Sequence, residues 1–503
     1  MLAGAGPVVR RAIALLPRSA QSTATVLVHQ VLLAVDEGDA VAADEALAVL
    51  ATVPDQGTVP RLTALRKAAA LHRARLAADL AVAHASDLVE DVGPSHLPAD
   101  LDPDVRLLVL ADRGALRLFE GDHGGARRDL LQAIELARVA GLHSVQLYCK
   151  NLVAGTYVAE SDFMQARVAA EKAIAFATAR GWDRAPSLAY SYVLAGWTSF
   201  QVLRPEEAST WAAISIDVID TTIDVEVEGA ARTGEAIIAF DEPPQRRSAL
   251  ERLERTTAWL TERGASPALT ALAAPHELRM CLSLGEWHRA EQAVERAESR
   301  LGTSGDVVVL QAQLASARGR PADARRLLRA VVGGELTPIR STALTAAWLL
   351  EALLAERADR RPAATEALLN ALRTAAPTGA TRPFFDAGVE VHGMLAALRG
   401  RAGHLEPVLD TVLAGIAHVL QWQGVAAAGV PLGTTTAPTG GWLTERELVV
   451  LRDLPSMMTL GEIAAAQGIS LNTVKTHVRS MYAKLGAGTR REAIGIARGL
   501  GLL

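Results

Sequence analysis

Between Leu471 and Arg479, the side chains Asn472, Lys475, Thr476 and Arg479 recur at steps of three and four residues, which places them on one face of a helix. Amide, hydroxyl, ammonium and guanidinium groups along one narrow rod are the donors and acceptors that base edges in a major groove require. No acidic residue occurs from Leu471 to Arg491, so phosphates approaching this rod would meet no like charge. The whole chain of 503 residues carries a formal net charge of −5, yet Leu443–Leu503 holds eight basic residues against five acidic ones. A polyanion-binding function belongs at this end of the chain.

The surrounding residues predict the elements that would hold such a rod. A Ser or Thr followed three residues later by Glu marks a capping box, in which the two residues satisfy free amide donors at a helix start. Thr444 with Glu447, Thr459 with Glu462 and Thr489 with Glu492 fit this pattern, and Ser470 is a lone cap before Leu471. Four short helices are therefore expected, starting near residues 445, 460, 471 and 490. Gly468 allows a tight turn between the second and third, giving a helix-turn-helix. On the third, Leu471, Val474, Val478, Met481 and Leu485 form the apolar side, expected to pack on Ile463, Ile469 and Leu451. The alternative reading of Lys475 and Arg479 is a solvated helix face; the glycine turn, the local charge and the missing acids weigh against it.

These residues carry a family resemblance. Leu443-Thr-Glu-Arg-Glu447, Glu462-Ile-Ala464, Ile469-Ser470, Thr473-Val-Lys-Thr-His477 and Lys484-Leu-Gly486 resemble the C-terminal DNA-binding domain of LuxR-type transcriptional regulators. Leu454-Pro-Ser-Met-Met458, Arg490-Arg-Glu-Ala493 and Leu500-Gly-Leu-Leu503 are similar to the MalT-like subgroup of large ATP-binding members. The resemblance implies that Lys475, Thr476 and Arg479 face bases of double-stranded DNA, with Asn472, Thr473, His477 and Lys484 nearer the phosphates. It also implies a homodimer on two half-sites, paired through the last helix, Arg490–Arg498. At Ala487-Gly488 the chain departs from the bulkier pair usual in the family.

Upstream, a pattern of small or apolar residues recurs. Ala290 is followed at +3, +4 and +7 by Ala293, Val294 and Ala297, and comparable sets begin at positions 43, 85, 126, 166, 208, 249, 324 and 365. The intervals are 42, 41, 40, 42, 41, 41, 34 and 41 residues, each long enough for two helices of roughly 12–15 residues and two turns. Gly38-Asp39, Gly121-Asp122, Gly285-Glu286, Gly319-Arg320-Pro321 and Arg361-Pro362 supply turn signals before the anchors. One helical hairpin cannot bury its apolar face alone, so stacked hairpins forming a superhelix with a concave binding surface are expected. The array resembles tetratricopeptide repeats, with a longer step, and the sensor region of MalT-like activators.

The fold class expected is all-α: a TPR-like helical-hairpin superhelix over 1–423, a flexible linker over 424–441 and a small four-helix LuxR-type domain over 442–503. The linker segment Gly424–Gly441 has no charge and five glycines, and 18 flexible residues span roughly 23 Å.

Other chemistry finds little support. Cys149 and Cys281 are the only cysteines, which fits a reducing cytoplasm and no thiolate metal site. His72 and His84, and His276 and His288, are paired 12 apart without companion ligands. No hydrolase elbow, zinc-protease motif or Gly-Lys pair occurs, so neither an enzyme nor a P-loop nucleotide site is expected, and no cofactor. The large LuxR members begin with such a P-loop domain. The first residues here resemble the start of their sensor region, and the expectation is a shortened regulator or a start assigned downstream. No apolar run of 18 residues occurs, the nearest, Val412–Val430, being broken by His418, Gln421 and Gln423, so no membrane span is expected. Arg10, Arg11 and Arg18 without an acid in the first 35 residues match a transit-peptide pattern, but an ordinary helical start is the reading preferred. Two functions remain. One is a cytoplasmic bacterial regulator whose array senses a small-molecule inducer or a protein partner, with RNA polymerase a further partner. The alternative is a protein-interaction scaffold with a vestigial DNA-binding tail.

Overall fold

The computed structural model describes residues 6–36, 39–53, 103–185, 188–219, 225–262, 267–338, 340–424, 445–456, 458–485, 487, 489–490, 493–494 and 497. Among these residues every regular element is a helix. The expected linker lies outside the described residues apart from Gly424, as does the repeat anchor Ala85.

Consecutive helices pair as hairpins: Ala24–Asp36 with Ala40–Thr52, Pro103–Glu120 with His123–Val139, and His143–Ala159 with Phe163–Thr178. Further along, Pro267–Leu284 pairs with Trp287–Leu301, Gly305–Ala317 with Pro321–Val332, and Ser341–Glu356 with Arg361–Ala375. The anchors explain the pairing. Ala43, Ala126, Ala166, Ala208, Ala249, Ala290 and Ala324 are each the fourth residue of a helix, and all are fully buried. A methyl group at that crossing lets neighbouring backbones approach closely, and a larger side chain there would overpack by about 1–3 kcal/mol. The last anchor needs correction. Ala364, not Thr365, is the fourth residue of Arg361–Ala375, and Ala364, Ala367, Leu368 and Ala371 are buried while Thr365 is half-buried. Leu368 and Leu372 fit both registers, so the wide apolar stripe of this helix reads equally well one residue late.

The turns share one conformation. Two residues before the next helix, the chain turns left-handed at Gly121, Ser161, Leu203, Gly285, Gly319 and Asp359, with φ between 53° and 89°. The following amide then bonds back into the preceding helix, as Asp162 N does to Tyr157 O (2.8 Å) and Arg360 N to Ala355 O (2.9 Å). Asp39, Asp122 and Asp162 cap the second helix through amides three residues on, at 2.8–3.0 Å.

The chain divides into two compact units. The first comprises Met1–Thr198, Thr210–Ala231 and Ala258–Ser266. Its core includes Leu107, Leu110, Leu130, Val145 and Leu152. It also buries an ion pair in which Arg113 donates twice to Asp129, at 2.6 and 2.7 Å, and Arg117 donates once. The second comprises Ser199–Ser209, Arg232–Thr257 and Pro267–Leu503. Here Leu328, Leu349, Leu368, Phe384, Leu409 and Ile416 share one core.

Arg382 sits in this unit at 2% exposure and is held by three charge-assisted bonds, two to Asp241 and one to Asp386 at 2.8 Å. The Thr381 amide and hydroxyl donate to Gln201 O, and the Gln423 side chain donates to Asp241 O. Segments 141 to 182 residues apart are tied together by these bonds.

Two predictions follow from this packing. Asp359 is exposed and left-handed, so Asp359→Gly should raise stability by up to about 1 kcal/mol, whereas Gly319→Ala should lower it by about as much; denaturant midpoints of the two variants should move in opposite directions. Burial, with Arg279 and Arg382 nearby, drives the His276 imidazole well below its ordinary value, and burial, opposed by the Phe385 and Phe384 carbonyls and Asp386, lowers that of His392. Folding therefore favours the neutral form of both rings. Their contribution is complete above the unfolded histidine value of about 6.5 and is lost as pH falls below it, by at most about 1.4 kcal/mol per pH unit for each. Denaturation of the chain at pH 7 and pH 5 checks this, a flat profile being the contrary result.

Candidate nucleic-acid interface

The tail begins with the helix Glu445–Asp453, followed by Leu460–Ala466 and Leu471–Leu485. The expected box at Thr459 is complete: Glu462 N donates to Thr459 Oγ1 (3.3 Å), and Thr459 N donates to Glu462 Oε2 (2.7 Å). These bonds from the Thr459 amide and hydroxyl hold the Glu462 carboxyl below the usual carboxylate range. Leu460–Ala466 then ends at Gln467, and Gly468 takes φ 64°, so that Ile469 N can bond back to Ala464 O at 3.1 Å. Ser470 caps the next helix by accepting from Thr473 N at 3.1 Å. The turn and both helix ends are thus set by local hydrogen bonds. Thr444 and Glu492 lie outside the described residues, while Glu447 is buried and accepts from Ser480 Oγ at 2.6 Å, pinning the first tail helix to the third.

Rotation of the third helix is fixed by its apolar side. Val474, Val478 and Met481 are buried against Leu448, Leu451, Leu454, Ile463 and Ala464, with Ile469 packed beside them. Leu471 departs from the expectation. At 41% exposure it lies at the first turn, before the helix runs over its partners, and it joins the open face rather than the core. The Leu485 side chain is outside the described residues.

With the apolar side inward, Asn472, Thr473, Lys475, Thr476 and Arg479 are all exposed, and His477 is half-buried. The structure therefore brings the expected residues together on one helix, with six of the seven side chains described. Lys484 belongs to the same helix, but its side chain is outside the described residues. The Thr476 hydroxyl donates to Asn472 O at 2.9 Å, which aims its lone pairs outward as acceptors. Two ammonium and guanidinium groups, one amide and two hydroxyls along one face can hydrogen-bond base edges and phosphate oxygens.

Arg490, expected in the last helix and in the MalT-like motif, has a further task in the structure. Its Nε, Nη1 and Nη2 donate to Leu454 O, Met458 O and Ser456 O at 2.8–2.9 Å, clamping the loop between the first two tail helices. Gln467 Nε2 donates to Asp453 Oδ2 (2.5 Å) across the same loop. A lone arginine beside Arg491 carries no sequence signal for three carbonyl partners more than 30 positions away. Arg490, Ala493, Ile494 and Ala497 are helical, and Ala493 and Ala497 are buried.

Among the described residues no group of three or more His, Cys, Asp or Glu side chains is placed to hold a metal ion, and no helix is long and apolar enough to cross a membrane.

Comparison with known proteins agrees with this geometry. Residues 442–497 match the family described as bacterial regulatory proteins, luxR family. Over 61 residues the chain is 43% identical to the transcriptional regulatory protein YdfI of Bacillus subtilis (strain 168). That alignment covers 12% of this chain and 29% of the relative's length. Among solved structures, the crystal structure of Rap protein complexed with competence and sporulation factor is similar with a TM-score of 0.53 and 11% identity, covering 71% of this chain and 99% of that one. At such identity the likeness shows a shared helical, TPR-like fold. The C-terminal segment, by contrast, is a LuxR-family DNA-binding domain.

Proposed function

We propose that the chain is a transcriptional regulator in which the helix Leu471–Leu485 enters the major groove of promoter DNA, with residues 442–503 as the DNA-binding domain and residues 1–423 as the sensing array joined by the 424–441 linker. Lys475, Thr476 and Arg479 face the bases, while Asn472, Thr473, His477 and Lys484 contact phosphates. Two copies pair through the last helix on a site with two half-sites, so that the groove is read twice. The array binds a small-molecule inducer or a protein partner and controls whether the tails engage DNA in the cytoplasm, with RNA polymerase as the downstream partner. The single observation that carries this reading is the inward rotation of Val474, Val478 and Met481, which leaves the polar stripe in solvent. The array's structural neighbour was solved with a bound factor, which supports a binding role for the hairpins here. The resemblance of Leu454-Pro-Ser-Met-Met458 and Arg490-Arg-Glu-Ala493 to MalT-like regulators supports reading the chain as a member of that subgroup.

Lys475→Ala or Arg479→Ala should each weaken binding to the cognate site by about 1–3 kcal/mol, or roughly 5- to 150-fold, if each holds a base. Lys484→Ala should instead weaken cognate and unrelated DNA alike and reduce the slope of log K against log salt by about 0.9. Fluorescence anisotropy on a promoter fragment at several salt concentrations separates these outcomes. Equal affinity of the wild type and the first two variants for the cognate site would overturn the assignment.

A further inference from the structure

In the first unit, the hairpin His143–Ala159 with Phe163–Thr178 gathers cations around one aromatic ring. The Arg180 guanidinium lies 3.7 Å from the centroid of Phe176 and the Lys150 ammonium 5.4 Å from it, so the two charges are within about 9 Å of each other, inside the screening length of about 10 Å at moderate salt. Lys172 stands one turn before Phe176 on the same helix, and the His143 imidazole meets the ring edge-on with 6.1 Å between centroids. Burial, then the charges of Lys172 and Arg180, hold the Lys150 ammonium below its ordinary value. Among the described residues no carboxylate pairs with Lys150, Lys172 or Arg180. The acids of this hairpin are engaged elsewhere: Glu160 with Arg127, Glu171 with Arg167 at 3.0 Å, and Asp162 on the Gln165 amide.

Like charges on neighbouring turns repel, and these do so on a chain that is otherwise acidic. Upstream of Leu443 the formal charge is −8, the −5 of the whole less the +3 of the tail. The cations are open to solvent: Lys172 and Arg180 are exposed, and the half-buried Lys150 keeps an ammonium that has no hydrogen-bond partner and reaches water. Arg180 is also held in place. Its Nη1 donates to Phe176 O at 2.8 Å, and stacking on the ring fixes the guanidinium plane while leaving Nε and Nη2 for an acceptor. An array of net negative charge repels a long polyanion laid across it, so the complement that fits is compact and multiply charged. Phosphate groups meet both conditions: a monoester carries about −1.5 to −2 at pH 7, and its oxygens can take an arginine fork and an ammonium together.

We propose that Lys150, Lys172 and Arg180 bind the phosphate groups of a small molecule, with the Phe176 ring as the platform that orders two of the three cations. The use of such a ligand as the signal of the array rests on the sensing role proposed above; the binding itself does not.

The test is thermal unfolding of the full chain titrated with pyrophosphate, with chloride withdrawn to keep the ionic strength constant. The wild-type midpoint should rise and saturate. Lys172→Gln removes an exposed, unpaired charge, so its midpoint without pyrophosphate should be unchanged or higher, and its half-saturating concentration at least about fivefold above that of the wild type. Arg180→Gln should raise that concentration at least as far, and if it fails to fold, Lys172→Gln alone decides. Lys475→Ala, in the tail, should leave the response intact, which separates this site from the DNA-binding stripe. Parallel rises in wild type and Lys172→Gln would reflect general ion exclusion and overturn the site, as would no saturable rise or a rise abolished by Lys475→Ala. A hexaglutamate peptide and duplex DNA of unrelated sequence are the competing probes. A response to either that Lys172→Gln weakens, with none to pyrophosphate, would overturn the phosphate assignment in favour of an acidic segment or a nucleic acid. The pyrophosphate titration contains no DNA, so its failure and a failure of promoter binding are separate results.

Discussion

Burial of Val474, Val478 and Met481 sets the rotation of a single helix, and that rotation decides what the tail can touch. Each of the three removes a branched or thioether side chain from water, a gain of about 1.5–3 kcal/mol apiece, well above anything the exposed cations contribute to folding. Turning the helix by one residue would bury Lys475 and expose Val474. The stripe of Asn472, Lys475, Thr476 and Arg479 is therefore presented because the opposite side has no acceptable alternative. The local hydrogen bonds at Thr459, Ser470 and Gly468 add precision: they fix where the helix starts, and hence how far the stripe extends.

The array solves a different problem with a repeated answer. At each crossing a buried alanine allows close approach, and at six of the turns a left-handed residue before it turns the chain so that the next amide can cap the helix it has just left. Nothing in this design asks for large side chains, which accounts for a chain that is 50% apolar but only 4% aromatic. Where the second unit must join remote segments, it does so with polar bonds: the charged Arg382 connects Asp241 with Asp386, and the Thr381 hydroxyl reaches the carbonyl of Gln201.

Much of this was legible beforehand, for a physical reason. Helix rotation in the tail and hairpin spacing in the array depend on periodicity and caps, which are local properties; hence Val474 and Ala290 fell where their spacing put them. Leu471 is exposed against expectation because periodicity cannot tell where a helix runs past the edge of its partners. Spacing does not distinguish Thr365 from Ala364 as the anchor, because two registers share Leu368 and Leu372. Ser161, Leu203 and Asp359 gave no warning of left-handed backbone, since turn residues are read from glycine and these are not glycines. The clamp of Arg490 and the cluster of Arg382 depend on partners dozens to more than a hundred positions away, and no local pattern announces such pairings.

The shared turn geometry has a bearing on how such an array can change in length. Inside a hairpin, the left-handed residue and the amide that follows it dictate phase, so an inserted residue there would rotate the second helix and expel its anchoring methyl from the crossing. The links between hairpins vary more: the three residues between His123–Val139 and His143–Ala159 make the same left-handed turn, at Gly141 with Leu142 N bonding back to Ala137 O, whereas eight residues separate Pro321–Val332 from Ser341–Glu356. Duplication, deletion or domain insertion is accordingly best tolerated at the longer outer link between Val332 and Ser341, a natural seam along which relatives of this chain can diverge without losing their stacking.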